Sequence, residues 1–116
     1  DDTRRIASKV DLLLHDALSL PLTEATTKAA TTGGLTRLAK IVSDVTDYHA
    51  STDSLIDLGA DIDAGIVAFY HLVPAPSNLI MSKIFERNLP ENFLLANDGD
   101  WFELPSDSAR IIHTSD

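Results

Sequence analysis

The sequence contains no cysteine, and this absence excludes several kinds of chemistry. Without thiol groups the chain cannot form a disulfide, a thiolate zinc site or a cysteine nucleophile. Long apolar runs are also lacking, since the most apolar stretch, GIVAFYHLV, is far shorter than the roughly 20 residues of a membrane-spanning helix. We therefore expect a soluble protein, while the sequence gives no indication of its compartment.

Positive charge is scarce in this chain. Nine Lys and Arg residues stand against 18 Asp and Glu residues, which gives a formal net charge of -9 at pH 7. Binding to nucleic acids and docking on anionic membranes both depend on clustered basic side chains. We therefore expect neither a nucleic acid nor a membrane as partner, and an acidic surface instead suits a basic protein partner.

The length and composition are those of one folded domain. A chain of 116 residues can bury a single core, and a hydrophobic content of 44% with few Pro and Gly is typical of globular proteins. We therefore predict a single domain over residues 1–116. The first residue is Asp1 rather than Met, which we interpret as the start of a processed or excised piece.

The first three quarters of the chain show helical periodicity. In residues 3–18 the apolar side chains recur at spacings of three and four, which predicts a helix. The segment after Gly33 and Gly34 has the strongest pattern, and we expect it to pack on the core through Leu35 and Leu38 among others. The further predicted helices cover residues 23–32, 35–49, 52–58 and 78–87, the third of them ending at Gly59.

Residues 66–73, IVAFYHLV, are ambiguous because their apolar positions fit one face of a helix while their β-branched and aromatic content fits a buried strand. The helical neighbours favour a helix here. Towards the C-terminus, NFLLA and WFEL flank the turn residues NDGD, which predicts a β-hairpin, with a third strand in ARIIHTS. The predicted fold is thus α+β and mainly helical, with four to five helices in residues 3–88 and a β-hairpin or small antiparallel sheet in residues 91–114.

The glycine pair in ATTGGLTRLA raises the question of an anion site. The stretch lacks the Lys-Ser/Thr of a phosphate loop and the three spaced glycines of a dinucleotide loop. Because a helix N-terminus can hold an anion on its backbone N–H groups, the candidate anion contacts are Thr32, Gly33, Gly34 and Arg37. The simpler interpretation is a corner at which one helix ends and the next begins.

Metal sites and named catalytic groups are not indicated. An EF-hand register around Gly99 fails, which leaves only a looser set of Asp98, Asp100 and Glu103 that turn chemistry also explains. The four histidines form no closely spaced ligand pair, and the chain has no G-x-S-x-G motif. We therefore expect no metal, no cofactor and no catalytic residue. His49 and His71 lie in apolar segments, where a hydrogen-bonded structural imidazole is the commoner outcome.

A surplus of large apolar side chains points instead to an interface. Trp101 and Phe102 are adjacent in a predicted strand, so that one of them faces each side. Phe69 and Tyr70 belong to a segment that is apolar almost all round, and aromatic side chains are enriched at protein interfaces. The four side chains are the predicted interface residues.

The resulting function hypothesis is a non-catalytic protein–protein interaction or assembly module. Its partner would be a protein, most simply further copies of the chain in a homo-oligomer that forms a subunit of a larger cellular or viral assembly. The alternative hypothesis is a small enzyme or ligand-binding domain. Its site would be assembled in three dimensions from His49, His71 or His113 together with Asp or Glu side chains.

Overall fold

The structure, a computed structural model, describes residues 2–74, 78–106 and 111–115. Within these ranges helices and strands combine into an α+β fold. The α-helices are α1 (Asp2–Ile6), α2 (Leu20–Thr32), α3 (Thr36–Asp44), α4 (Thr52–Ile62) and α5 (Asn78–Phe85), and a 3-10 turn, Val45–Asp47, follows α3. The strands are β1 (Leu12–Leu18), β2 (Ile66–Val73), β3 (Phe93–Leu95), β4 (Trp101–Glu103) and β5 (Ile112–Thr114).

A parallel three-stranded sheet forms the centre of the fold, with β2 between β1 and β3. The predicted helices over residues 3–18 and 66–73 are therefore wrong. In the first segment α1 covers only the first turn, residues 7–11 form a connecting turn, and Leu12–Leu18 is β1. Strands that are buried in a parallel sheet read as continuous apolar runs, so apolar spacings of three and four arise in them without any helix. The pairing of β1 with β2 joins segments about fifty residues apart, which a local pattern does not reveal.

One face of this sheet carries the core. Phe69 on β2 is completely buried and meets Phe93 on β3 edge to face, with ring centroids 5.6 Å apart. Helix α4 contributes Leu55 and Ile62 to the same cluster, and α5 contributes Phe85. The strong burial of these large side chains makes this cluster the main source of stability.

Helix α4 continues past the glycine at which it was expected to end. It runs through Gly59 to Ile62 and stops at Asp63, whose φ of 54° lies in the left-handed region. A Cβ atom on Gly59 would lie 2.6 Å from Cζ of Phe93, so this glycine serves the close packing of α4 on the sheet rather than a helix end.

Helices α2 and α3 pack against each other and confirm two of the predicted helices. Ser19 caps α2 by accepting a hydrogen bond from the Leu22 amide, and Gly34, with a φ of 74°, turns the chain into α3. The expectation that α3 packs on the core is wrong for Leu35 and Leu38, which are 57% and 45% exposed. Because α3 meets mainly α2, only a narrow face around Ala39 and Val42 is buried.

The C-terminal strands exist, but their pairing differs from the predicted hairpin. Strand β3 joins the central sheet beside β2, and β4 pairs antiparallel with β5, in which Trp101 lies opposite Thr114. The apolar β3 extends the buried central sheet, whereas the more polar β4 pairs with β5 outside it. Helix α5 confirms the helix expected to start at Asn78, whereas its expected cap, Ser77, lies outside the described residues.

In the described part of the chain, no helix combines the length and the apolar character needed to cross a membrane.

Candidate functional site

A carboxylate and an imidazole meet where β1 approaches its end. The Nδ1 atom of His49 lies 2.7 Å from Oδ2 of Asp16, and both side chains are about four-fifths buried, with 21% and 23% exposure respectively. Asp16 belongs to β1, and His49 belongs to the loop between the 3-10 turn and α4. Because an ionised carboxylate only accepts hydrogen bonds, this contact requires the hydrogen of the His49 ring to be on Nδ1 when Asp16 is ionised.

A second imidazole reaches the same carboxylate from the preceding residue. The Nδ1 atom of His15 lies 2.9 Å from Oδ1 of Asp16 and 2.9 Å from its backbone oxygen. Asp16 is thus held from two sides. Such a clamp fixes the direction from which its carboxylate meets His49.

The third imidazole, His71, is brought to the cluster by an irregularity in β2. Asp16 pairs with Tyr70 and Ala17 pairs with Leu72, so His71 is an extra residue in its strand, and its φ is 46°. A bulge of this kind re-aims the side chain that it carries. The ring of His71 stands edge-on to that of His49, with centroids 5.3 Å apart and an angle of 62° between the planes.

The cluster lies at the carboxyl ends of the parallel strands. Asp16 and His71 lie near the carboxyl ends of neighbouring parallel strands. His49 lies in a loop at the same end of the sheet. It precedes Ala50, whose carbonyl accepts a hydrogen bond from the Leu18 amide. In open α/β sheets ligands bind at the carboxyl ends of the strands. Backbone outside the favoured regions for a non-glycine residue, as at His71, is also concentrated at functional sites.

A cavity of about 340 Å³ lies on the same face of the sheet as Asp16. It is bordered by Leu14 and Tyr70 of the central sheet and by Asp100 and Phe102, and none of the cluster side chains lines it. Tyr70 is the register partner of Asp16, and Leu14 precedes Asp16 by two positions, so alternation puts Leu14 on the same face of the strand as Asp16. The cavity volume is within the range of small-molecule sites.

The chemistry available to this cluster is proton transfer. With its Nδ1 hydrogen donated to Asp16, the neutral ring of His49 presents Nε2 as a base, and the carboxylate stabilises the imidazolium that forms. Within residues 2–74, 78–106 and 111–115, no three His, Asp or Glu side chains are grouped so as to hold a metal ion.

The predicted interface residues are not equivalent in the structure. Trp101 is 70% exposed on β4 and Tyr70 is 52% exposed on β2, whereas Phe69 is completely buried and has no surface to offer a partner. Phe102 is half-buried and stacks on the ring of His113, with centroids 4.8 Å apart. Of the four predicted interface residues, Trp101 and Tyr70 are the two that are mainly exposed.

The glycine corner does not present free amides to an anion. The amides of Gly33, Gly34 and Leu35 donate to carbonyl groups of α2, and the Thr32 hydroxyl donates to the Lys28 carbonyl. These bonds complete the end of α2. The amides of Gly33 and Gly34 are thus engaged within the protein, whereas Arg37 is exposed, and the anion contact stays a prediction.

A separate carboxylate–imidazole pair stabilises the β4–β5 ribbon. Asp100, whose side chain is 3% exposed, accepts the Asn97 amide and lies 2.9 Å from Nε2 of His113. The carboxylate of Asp100 is thus engaged in contacts with Asn97 and His113.

Two members of the cluster were predicted from the sequence as parts of an alternative site, and the other two were not predicted. His49 and His71 were named as possible parts of a dispersed site, while Asp16 and His15 were not singled out. The available signal was polar residues directly after apolar runs, in DLLLHDA and in IVAFYH. In parallel strands that placement brings such residues to one edge of a sheet.

Comparison with known proteins gives no relative from which to transfer a role, since no family profile matches this chain and no curated protein is significantly similar to it.

Proposed function

We propose that the protein is a small enzyme or ligand-binding domain whose site is formed by Asp16, His49 and His71. The observation that carries the proposal is the 2.7 Å contact between Asp16 and His49 at the carboxyl ends of parallel strands. The partly buried pair has the geometry of an oriented general base. The matching reaction class is hydrolysis, in which such a base removes a proton from water.

Each residue has a distinct role in this proposal. His49 accepts the proton on Nε2, Asp16 holds the ring and stabilises its charged form, and His15 positions the carboxylate. His71 lies close enough to His49 to contact the same bound molecule, and it can donate or accept a hydrogen bond there.

Imidazole and carboxylate groups are donors that transition metals accept in proteins, but within the described residues no three such side chains are grouped so as to hold an ion. The proposal does not depend on an ion, but the assay must allow for one. Each measurement is therefore made in a chelating buffer and again with added Zn²⁺ or Mn²⁺.

The test is a hydrolysis screen with p-nitrophenyl esters of carboxylic and phosphoric acids. We expect turnover that falls by roughly 10²-fold or more in His49→Ala, because a general base contributes on that scale. His71→Ala is expected to be impaired as well. The matched control is His113→Ala, which removes an imidazole from the other carboxylate pair and is expected to keep the rate. Turnover that is equal in all three variants contradicts the proposal.

The second candidate function is the interaction or assembly module, and one observation favours it. Parallel sheets are normally covered on both faces, yet Leu14 and Tyr70 are each 52% exposed on the face opposite the core. Trp101 adds a further exposed aromatic side chain on β4.

Light scattering tests this second candidate. An oligomer that dissociates in Trp101→Ala or Tyr70→Ser, with an unchanged circular dichroism spectrum, supports it. A wild-type chain that stays monomeric and captures no protein partner contradicts it.

A further inference from the structure

A second surface with a distinct pattern lies on α3. Leu35, Leu38 and Ile41 are 57%, 45% and 53% exposed, and they border an open groove of about 410 Å³. The pattern continues beyond the helix through the half-buried Val45 to Tyr48, which is 81% exposed. We call these five residues the α3 stripe.

The α3 stripe lies in the electrically neutral part of an acidic chain. Residues 20–47, which form α2, α3 and the 3-10 turn, contain three acidic and three basic side chains, so the remainder of the chain carries the whole net charge of -9. Copies of so acidic a protein repel each other over most of their surface. This region is the part of the chain where two copies can approach without that repulsion.

The spacing of the α3 stripe is self-complementary. When two such helices cross in antiparallel orientation with Ile41 at the two-fold axis, Leu38 faces Val45 of the second copy. In the same arrangement Leu35 faces Tyr48 of the second copy. Asp44 and Val45 keep right-handed helical backbone angles, so the stripe stays on one side as α3 passes into the 3-10 turn.

Charge is complementary in the same arrangement. Arg37 and Asp44 lie seven positions apart and therefore on one flank of the stripe, one near each end of α3. Antiparallel pairing brings Arg37 of one copy beside Asp44 of the other. Asp44 already bonds Lys40 of its own helix at 2.8 Å, and this contact raises the pKa of that lysine.

We propose that the α3 stripe is a homodimer interface at which α3 of a second copy packs in antiparallel orientation. The inference concerns a surface other than the Asp16–His49 cluster and does not depend on the proposed enzymatic function. It also assigns self-association to α3 rather than to Trp101. Because a helix of nine residues covers less than the roughly 800 Å² per partner of a standard interface, the dimer is weak and depends on concentration.

Sedimentation equilibrium over a wide concentration series tests the interface. We expect a monomer–dimer equilibrium whose dissociation constant rises roughly tenfold or more in Ile41→Glu, which places two carboxylates at the two-fold axis. The charge flank is tested by Arg37→Glu, which weakens the dimer, and by the double variant Arg37→Glu with Asp44→Lys, which restores it. Circular dichroism confirms that each variant is folded, as expected because Ile41 and Arg37 are exposed and Asp44 is only half-buried.

Lys83→Glu, the same charge reversal at an exposed position of α5 outside residues 20–47, is the control and leaves the dissociation constant near that of the wild type. A wild-type chain that is monomeric at every concentration overturns the proposal. A dimer that is insensitive to Ile41→Glu, or one that dissociates in Trp101→Ala instead, overturns it as well.

Discussion

The Nδ1 atom of His49 lies 2.7 Å from a carboxylate oxygen of Asp16, although 33 residues separate the two along the chain. The contact exists because Asp16 lies near the carboxyl end of β1, and the segment before α4 comes back to that end, where the Ala50 carbonyl accepts a hydrogen bond from the Leu18 amide. The residues between Asp16 and His49 include α2 and α3. The site is thus a product of the sheet topology.

Replacing Asp16 by Asn tests the carboxylate. The amide keeps the size of the side chain but no longer stabilises a charged His49, so we expect the hydrolytic rate to fall by roughly 10²- to 10⁴-fold with little change in KM. Initial rates measure the effect. Asp61→Asn is the control, since it alters a carboxylate in the surface ion pair with Arg4, and a comparable loss there would mean that the effect is structural.

The backbone conformation of His71 is expected to lower the free energy of unfolding. A side chain at a φ of 46° is strained by about 1 kcal/mol, and glycine relieves that strain. His71→Gly and His71→Ala both remove the imidazole, so we expect the glycine variant to be the more stable of the two by about 1 kcal/mol in urea unfolding. An alanine variant at least as stable as the glycine variant contradicts the strained conformation.

Gly59 tests the packing of α4 on β3. Helix propensity alone predicts that Gly59→Ala stabilises the protein by about 1 kcal/mol. The new Cβ would instead lie 2.6 Å from Cζ of the buried Phe93, and overpacking of that kind costs about 1–3 kcal/mol. We therefore expect a lower free energy of unfolding, measured in urea. Phe93→Leu in the same background is expected to recover part of the loss.

Thr23 offers a test of polar burial. Its side chain is 1% exposed, and its hydroxyl has no hydrogen-bond partner among the described residues. Burying an unsatisfied hydroxyl costs about 1–3 kcal/mol, so Thr23→Val is expected to raise the thermal unfolding midpoint. Thr26→Val is the control, because Thr26 donates to the Leu22 carbonyl at 2.8 Å and loses that bond. Equal effects of the two substitutions would argue against the unsatisfied hydroxyl.

The sequence was sufficient where structure depends on local signals. The helices α2 and α3 and the corner at Gly33 and Gly34 were predicted because capping, periodicity and glycine act within a few residues. β1 and β2 were not predicted, since their apolar residues form nearly continuous runs without an alternating pattern and their stability comes from partners far along the chain. The pairing of β3 with β2 rather than β4 depends on the same non-local burial.

The candidate site shows the same limit. Spacings of 33 residues between Asp16 and His49, and of 22 between His49 and His71, contain no local motif. Their convergence follows from parallel pairing and from one bulge, neither of which the sequence pattern indicated. What the sequence did contain was a polar residue after each apolar run, and that signal gains meaning only once the runs are recognised as parallel strands.

The most direct measurement on the central claim is the tautomer of His49, observed by long-range ¹H–¹⁵N NMR in the wild type and in Asp16→Asn. We predict that the neutral ring of the wild type carries its hydrogen on Nδ1, where Asp16 accepts it, and leaves Nε2 as the base. We also predict that this preference weakens in Asp16→Asn. A wild-type ring protonated on Nε2 alone could not donate to Asp16, and it would contradict the oriented base on which the proposed function depends.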